Sequence, residues 1–452
     1  MDVQVQARMP SLGDHYQMQP IRGKRVTVAG LGRFGGGIGV TRWLVSQGAA
    51  SVLVTDKAPA ETLADSIKQL EGLPIEFRFK DQREEDFARA DLVVASPAIP
   101  PSNPLLQAAQ AAGVPVTTEI RLFVERCPAT IFGVTGTKGK STTTTLLGLM
   151  LAAKFKTWVG GNIGKSLLDD LPNIDKTHLV VLELSSFMLE HLGHMKWSPH
   201  IATVTMMATD HLDWHGSADA YVNAKRNIIR FQRPDDIAVL NEESELAKSF
   251  AAETQARIVH FGLRGRKPFE LILPGIHNQL NAQGAFATAS VVGISWDEAQ
   301  AAIKDFPGLP HRLQLVHEHN SIRFFNDSIA TIPESAIAAL NSFPSKTVIQ
   351  IVGGSKKKDP PIIDLCAALC ERAKAVLCIG ETGPKIAETM AKSTSPTCAA
   401  VYQCGDLATA MNEAKNIAIG GDVVLLSPGY ASYDQFVNFE ERGDRFTTLA
   451  LS

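Results

Sequence analysis

The sequence predicts an α/β protein made of three successive open α/β units, and three observations carry that reading. Apolar, β-rich runs alternate with helix-forming stretches from Lys24 to the end of the chain. Many of these runs end in glycine or polar residues, where open parallel sheets place their ligands. Pro and Gly then punctuate FPGLPHR at residues 306–312. The predicted divisions are 1–120, with an N-terminal extension over 1–20, then 121–308 and 309–452.

From Lys24, KRVTVAGLGRFGGGIGVTRWLVSQGAASVLVTD reads as a strand, a glycine turn, a helix and a second strand ending at Asp56. Gly30, Gly32 and Gly35 make a GxGxxG fingerprint, with the acidic residue one β-α-β unit later. The fingerprint alone suggests a nicotinamide-dependent dehydrogenase, but it reports any ligand whose diphosphate rests on a helix N-terminus. A third strand at 91–95 runs into Ser96 and Pro97.

The middle of the chain is organised around TIFGVTGTKGKSTTTTLLGLMLAA, residues 130–153. A short strand breaks into a Gly/Lys loop, and the loop opens into an apolar helix. Backbone amides around Gly136, Thr137, Lys138 and Gly139 are expected to wrap a triphosphate, which the positive end of the helix dipole also favours. Lys140 would add a charge on the β/γ-phosphates, and the hydroxyl of Ser141 or Thr142 would hold Mg²⁺. The loop is a variant, because Val134 stands where the standard phosphate loop begins with Gly. Buried-strand patterns at 178–184 and 200–206 end in Glu183 and in Asp210-His211. If these strands flank the loop strand, Glu183 and His211 reach the same ion. A helix-like stretch, SADAYVNAKRNIIRF, carries Lys225, which by spacing alone is a surface lysine.

The last third repeats the pattern, with strands over 347–352, 375–379 and 423–426. The Gly353-Gly354-Ser355 turn leads into Lys356, Lys357 and Lys358, which make either a solvated charge cluster or a contact to an anion.

Composition excludes several classes. The 452 residues are 45% hydrophobic and 20% charged with a formal net charge of −3, an ordinary globular balance that gives no general affinity for nucleic acid or acidic membranes. The first twenty residues lack signal-peptide features, and no apolar run reaches membrane-spanning length, so a cytoplasmic protein without membrane or nucleic-acid partners is expected. Six scattered cysteines, none in a C-x-x-C pair, are read as reduced thiols.

Taken together, GLGRFG, ASPAIP, GVTGTKGKST, GGNIG, LELSSFMLE, DHLDWHGS, AYVNAKRNI, GIHNQLNA, GLPHR, FNDSIAT, GGSKKKD and LLSPGYASYDQFVNFEERGDRF resemble the Mur ligases over nearly the whole chain from Arg25. The resemblance implies a monomeric, ATP- and Mg²⁺-dependent amide ligase that adds D-glutamate to UDP-N-acetylmuramoyl-L-alanine through an acyl phosphate in peptidoglycan precursor synthesis. A variant adding L-glutamate and a folylpolyglutamate-type ligase are the alternatives. It also implies a Rossmann-like UDP-binding domain, a central phosphate-loop ATPase domain and a Rossmann-like C-terminal domain.

Residue by residue, the resemblance puts Gly32, Arg33, Asp56, Ser96 and Pro97 on the UDP moiety and Asn162 and Ser186 on the muramoyl substrate. Lys140 falls on the phosphates, and Glu183 and His211 on Mg²⁺. Lys225 matches a lysine carbamylated by CO₂, which would make it an oxygen ligand. Asn278, Arg312 and Asp327 fall on the ATP side, and Thr331, Lys357, Ser432 and Phe439 on glutamate. Ile329, Phe34, Met206, Tyr430 and Tyr433 depart from the family pattern.

Overall fold

The computed structural model describes residues 18, 20–33, 35–208, 210, 212–356, 362–392 and 398–452. The chain forms two compact units, one running to Pro268 and including Leu280–Ala302, the other made of Phe269–Gln279 and Ile303–Ser452.

The first unit holds two parallel sheets. Strands β1 (Arg25–Ala29), β2 (Ser51–Asp56), β3 (Glu76–Phe79), β4 (Leu92–Ala95) and β5 (Val116–Thr118) take the order β3-β2-β1-β4-β5. Strands β6 (Thr130–Thr135), β7 (Thr157–Gly161), β8 (Leu179–Glu183), β9 (Ile201–Val204), β10 (Ile237–Asn241) and β11 (Arg257–Phe261) take the order β11-β10-β9-β6-β8-β7. Helices cover both faces of such sheets, so strands β4, β6, β8, β9 and β10 are buried at every position and are mostly apolar, with Thr130, Thr135, Glu183, Thr203 and Asn241 the polar positions. In each sheet the order reverses beside the strand that precedes a glycine turn. Ligand crevices open at such reversals, at the carboxyl ends of the strands.

One continuous apolar core joins the two sheets, with Val26, Val28, Trp43 and Val94 on one side and Ile131, Val180, Leu184 and Val204 on the other. Residues 120 and 121 lie inside the helix Glu119–Val124, whose Ile120, Leu122, Phe123 and Val124 are buried in that core.

The second unit carries β12 (Gln314–His319), β13 (Ile322–Asn326), β14 (Val348–Gly353), β15 (Ala375–Ile379), β16 (Ala400–Gly405) and β17 (Val423–Leu426), in the order β12-β13-β17-β14-β15-β16. Strand β12 pairs antiparallel with β13 and the other pairs are parallel. Its two faces bury separate apolar clusters, one around Phe325, Val376 and Leu425 and the other around Ile351, Leu377 and Phe446.

The expectation of six reduced cysteines is corrected here, since Cys370 and Cys398 are joined as a disulfide while Cys127, Cys366, Cys378 and Cys404 are free. The two lie 28 positions apart in sequence. Only packing of the helix Ile363–Arg372 beside the segment entering β16 brings them together, and no local spacing signals that.

Candidate active site

The organising stretch folds as predicted, with β6 entering the loop and the helix Lys140–Ala152 leaving it. The helix begins at once, at Lys140, because Gly139 takes a left-handed conformation (φ +85°) and turns the chain into it. A Cβ at Gly139 would lie 2.3 Å from Asn281 Oδ1, so the loop is closed off by that side chain as well. The amides of Thr137 and Lys138 donate to the Met206 carbonyl at 2.8 and 3.2 Å, fastening the loop to the segment after β9. The departure at Met206 therefore leaves the contact intact, since it is made through backbone. Helix geometry leaves the first-turn amides of Lys140, Ser141 and Thr142 without intrahelical acceptors, and these are the donors available to an anion. Lys140 Nζ folds over the loop and donates to the Thr137 carbonyl at 3.0 Å.

Glu183 ends β8, in register with Val134 of the loop strand and Gly161 of β7. Its backbone carbonyl accepts the Asn162 amide at 2.8 Å, and its Oε1 accepts Asn162 Nδ2 at 2.8 Å. Its Oε2 is buried and has no hydrogen-bond partner among the described residues. Lys225, predicted by spacing to be a surface residue, is 1% exposed. Its Nζ lies 3.4 Å from Thr135 Oγ1 and 4.9 Å from the centre of the Tyr221 ring. Burial drives this ammonium well below the usual lysine range; Lys140 pushes the same way, and Glu183 and Asp210 oppose. A buried carboxylate oxygen with no donor among the described residues, beside a lysine with depressed basicity and a phosphate loop, fits a bound divalent cation. His211 lies outside the described residues.

At the reversal between β1 and β4 a cavity of about 270 Å³ is lined by Gly30, Gly32, Gly37, Ser96, Pro97 and Asn162, among others. The glycines let backbone approach closely: a Cβ on Gly37 would lie 2.2 Å from the Leu31 carbonyl oxygen. Asp56, at the end of β2, accepts the amides of Gly32 at 3.1 Å and Ala58 at 2.9 Å, so its carboxylate braces the turn. Ser96 follows β4, and its amide donates to the Ala29 carbonyl at 2.8 Å. Arg33 is exposed on the rim of an adjoining cleft with Lys165 and Asn162. Ser186 is buried at the start of the helix Ser186–His194 and lies 2.9 Å from His215 Nε2. Phe34 lies outside the described residues.

In the second unit Asn278 donates to the Pro274 carbonyl at 2.7 Å. Asp327 is buried after β13, accepting Ser427 Oγ at 2.7 Å and the Leu313 amide at 3.1 Å. Burial pushes its carboxyl up to about 7 against those bonds and the nearby charge of Arg312, whose side chain is exposed. Thr331 is half-buried, Ser432 buried and Phe439 half-buried, with the Phe439 ring edge-on to His311 at 6.0 Å. Tyr433 is exposed, whereas Tyr430 is buried. Lys357 lies outside the described residues.

Sequence reasoning passed over Arg442. Its guanidinium is buried, donating from Nε to Ser328 Oγ at 2.9 Å, from Nη1 to the Tyr430 carbonyl at 3.0 Å and from Nη2 to the Ser328 carbonyl at 2.9 Å. It clamps the Asn-Asp-Ser turn to the Ser-Pro-Gly-Tyr loop. The residue sits in the ASYDQFVNFEERG block, but nothing in a run of alternating charges marks one arginine as buried. Trp214 and His215 were passed over in the same way.

A phosphate loop on one sheet, a glycine-rich crevice on a neighbouring sheet and a third α/β sheet define a multidomain nucleotide-using enzyme. Family patterns match over three segments: a MurD-like Mur ligase N-terminal domain at residues 24–118, a Mur ligase middle domain at 134–283 and a Mur ligase glutamate ligase domain at 311–429. The chain belongs to the Mur ligase family. It is 42% identical to the UDP-N-acetylmuramoylalanine--D-glutamate ligase of Roseiflexus sp. (strain RS-1), over 96% of this chain and 99% of that one. It is 36% identical to the enzyme of that name from Acetivibrio thermocellus, over 96% and 97% of the two chains. In fold it is similar to the UDP-N-acetylmuramate-alanine ligase MurC of Thermotoga maritima, with a TM-score of 0.60 at 21% identity over 94% of this chain and 98% of that one.

Proposed function

We propose that this chain is an ATP-dependent ligase that joins D-glutamate to UDP-N-acetylmuramoyl-L-alanine in peptidoglycan precursor synthesis, working in the cytoplasm. Identity to ligases of that name along almost the whole chain supports the substrate. The observation that carries the site assignment is Asn162, which lines the glycine-rich cavity and binds Glu183 beside the phosphate loop. One residue thus touches both the nucleotide-sugar cavity and the carboxylate next to the loop.

In this reading residues 1–120, 121–308 and 309–452 act as the nucleotide-sugar, ATP and glutamate domains. The first-turn amides at Lys140, Ser141 and Thr142, with the Lys140 ammonium, bind the ATP phosphates and lower the repulsion between them and the acceptor carboxylate. A carboxylate oxygen of the alanyl group attacks the γ-phosphorus, the bond to the ADP oxygen breaks, and an acyl phosphate forms. The glutamate amine, once neutral, attacks the acyl carbon, phosphate leaves and the amine loses a proton. Thr331, Lys357, Ser432 and Phe439 would hold and orient the glutamate, with Lys357 facing a carboxylate. Asn278, Arg312 and Asp327 would meet the ATP side.

Ser141, Glu183 through its buried Oε2, His211 and a carbamylated Lys225 would hold Mg²⁺, which when bound offsets phosphate charge. The neutral amine that burial favours at Lys225 is the form that adds to CO₂, losing a proton as the N–C bond forms.

The test is ADP release from ATP and Mg²⁺ with UDP-N-acetylmuramoyl-L-alanine, run with D-glutamate and with L-glutamate. Release with D-glutamate alone is expected. Release only with L-glutamate would reassign the amino acid, and silence with both would remove the ligase reading.

A further inference from the structure

Three walls of the site in the first unit are touched by one short strap, residues 214–221. Trp214 Nε1 donates to the Ala98 carbonyl at 3.0 Å, on the Ser96-Pro97 turn that lines the cavity. His215 Nε2 lies 2.9 Å from the buried Ser186 hydroxyl, and its ring stacks on Phe187 at 5.6 Å with the planes 10° apart. Phe187 itself lines the cavity and packs against Trp214 at 4.8 Å. Past Gly216 (φ +77°), Ser217 caps the helix Ala218–Arg230, whose Tyr221 meets His215 edge-on at 5.5 Å. Tyr221 Oη in turn lies 2.9 Å from Thr137 Oγ1 in the phosphate loop.

The contacts are continuous from the cavity turn to the phosphate loop, and each of them is directional. A stacked ring fixed at one edge by a hydrogen bond cannot slide, because sliding breaks the bond, and it cannot rotate without losing the stack. In-line attack on a γ-phosphate requires the two substrates to be held to a fraction of an ångström, so the cavity and the loop must be in register when both ligands are bound.

We propose that His215, held by Trp214, is a positioning residue of the ligase reaction: through the buried Ser186 and the stack on Phe187 it fixes the Phe187 wall of the cavity at a set distance from the phosphate loop, so that the nucleotide-sugar carboxylate is aimed at the γ-phosphate. This rests on the reading of the cavity as the nucleotide-sugar site.

The test begins with calorimetric binding of UDP-N-acetylmuramoyl-L-alanine to the unaltered protein. His215→Phe keeps a flat ring against Phe187 and removes the nitrogen that meets Ser186. It is expected to lower kcat/KM for the nucleotide sugar about 10-fold to 100-fold, the effect of one lost buried hydrogen bond, while the affinity for Mg·ADP changes less than about twofold. His215→Gln, which restores a polar reach to Ser186, should recover part of the loss. The Ser186→Ala/His215→Phe double variant should be no worse than the poorer single one, since both remove the same contact. Trp214→Phe, which leaves the stack and deletes only the bond to Ala98, gives a second and milder variant, expected to lose in the same parameter. Additive losses, an equal loss of Mg·ADP affinity, or unchanged kinetics would overturn the role of His215. Failure of the unaltered protein to bind the nucleotide sugar would instead overturn the assignment of the cavity.

Discussion

Asn162 binds Glu183 twice, once through backbone and once through its carboxamide, and both bonds measure 2.8 Å. The carboxamide consumes Oε1 and so presents Oε2 alone. Gly161 makes the approach possible: at φ +93° it turns Asn162 back, and a Cβ there would lie 2.3 Å from the Glu183 carbonyl oxygen. Removing the carboxamide in Asn162→Ala frees the carboxylate to rotate. The expected result is a kcat lower by about 10-fold to 100-fold, equivalent to about 1–3 kcal/mol, with a higher Mg²⁺ concentration at half-maximal rate. A metal titration of the initial rate checks both.

Lys225 is too deeply buried, and too weakly hydrogen-bonded, to sit comfortably as a cation. If Lys225 acts as the proposed carbamate, Lys225→Ala should lose nearly all activity and regain part of it in added short-chain carboxylic acids, which would stand in for the carbamate oxygens. Full activity in the unaided variant would remove Lys225 from the mechanism.

Arg442 offers a test confined to the second unit. Arg442→Met leaves Ser328 Oγ, the Ser328 carbonyl and the Tyr430 carbonyl short of a donor, a loss of about 2–4 kcal/mol. The melting temperature should fall, and the KM for glutamate should rise more than the KM for ATP, because the clamped loops carry Thr331 and Ser432. Denaturant melts and substrate titrations of the same preparation separate the two effects.

The Glu119 carboxyl is held against Ser166 Oγ and pushed up by burial to about 7, with Asp169 adding to the rise and the Ser166 bond opposing it. Its folded value lies above the unfolded one of 4.5, so between the two the folded state binds more protons and stability must fall as pH rises. Glu119→Gln, which cannot ionise, should flatten the decline between about pH 5 and 8, a difference of about 1–3 kcal/mol at the alkaline end. Melting temperature against pH for the two proteins reads it directly.

Gly139→Ala tests the loop itself. The left-handed backbone disfavours any side chain, and the added methyl would press on Asn281. A stability loss of about 1–2 kcal/mol is expected, with weaker binding of Mg·ADP seen by calorimetry.

Much of the fold was legible because its strands are buried on both faces. Val423–Leu426 and Ala375–Ile379 are apolar throughout, and their predicted limits coincide with the observed ones. The phosphate loop was legible because a glycine-lysine turn between a strand and a helix has a local physical meaning. Lys225 was not, since its helix carries polar residues all along and only the packing of Ala218–Arg230 turns that one lysine inward. The Cys370–Cys398 pair was not, since its partners belong to separate elements.

By itself, then, the sequence determined what depends on short stretches of chain: the strands, the glycine turns, the helix start at the phosphate loop and the order of the motifs. Tertiary structure decided what depends on neighbours remote in sequence. It set Asn162 on one oxygen of Glu183, buried Lys225 and Arg442, and joined His215 to Ser186. Hydrogen bonds and desolvation act across ångströms of space, and residues twenty to more than a hundred positions apart enter that range only when the sheets stack and the helices pack against them.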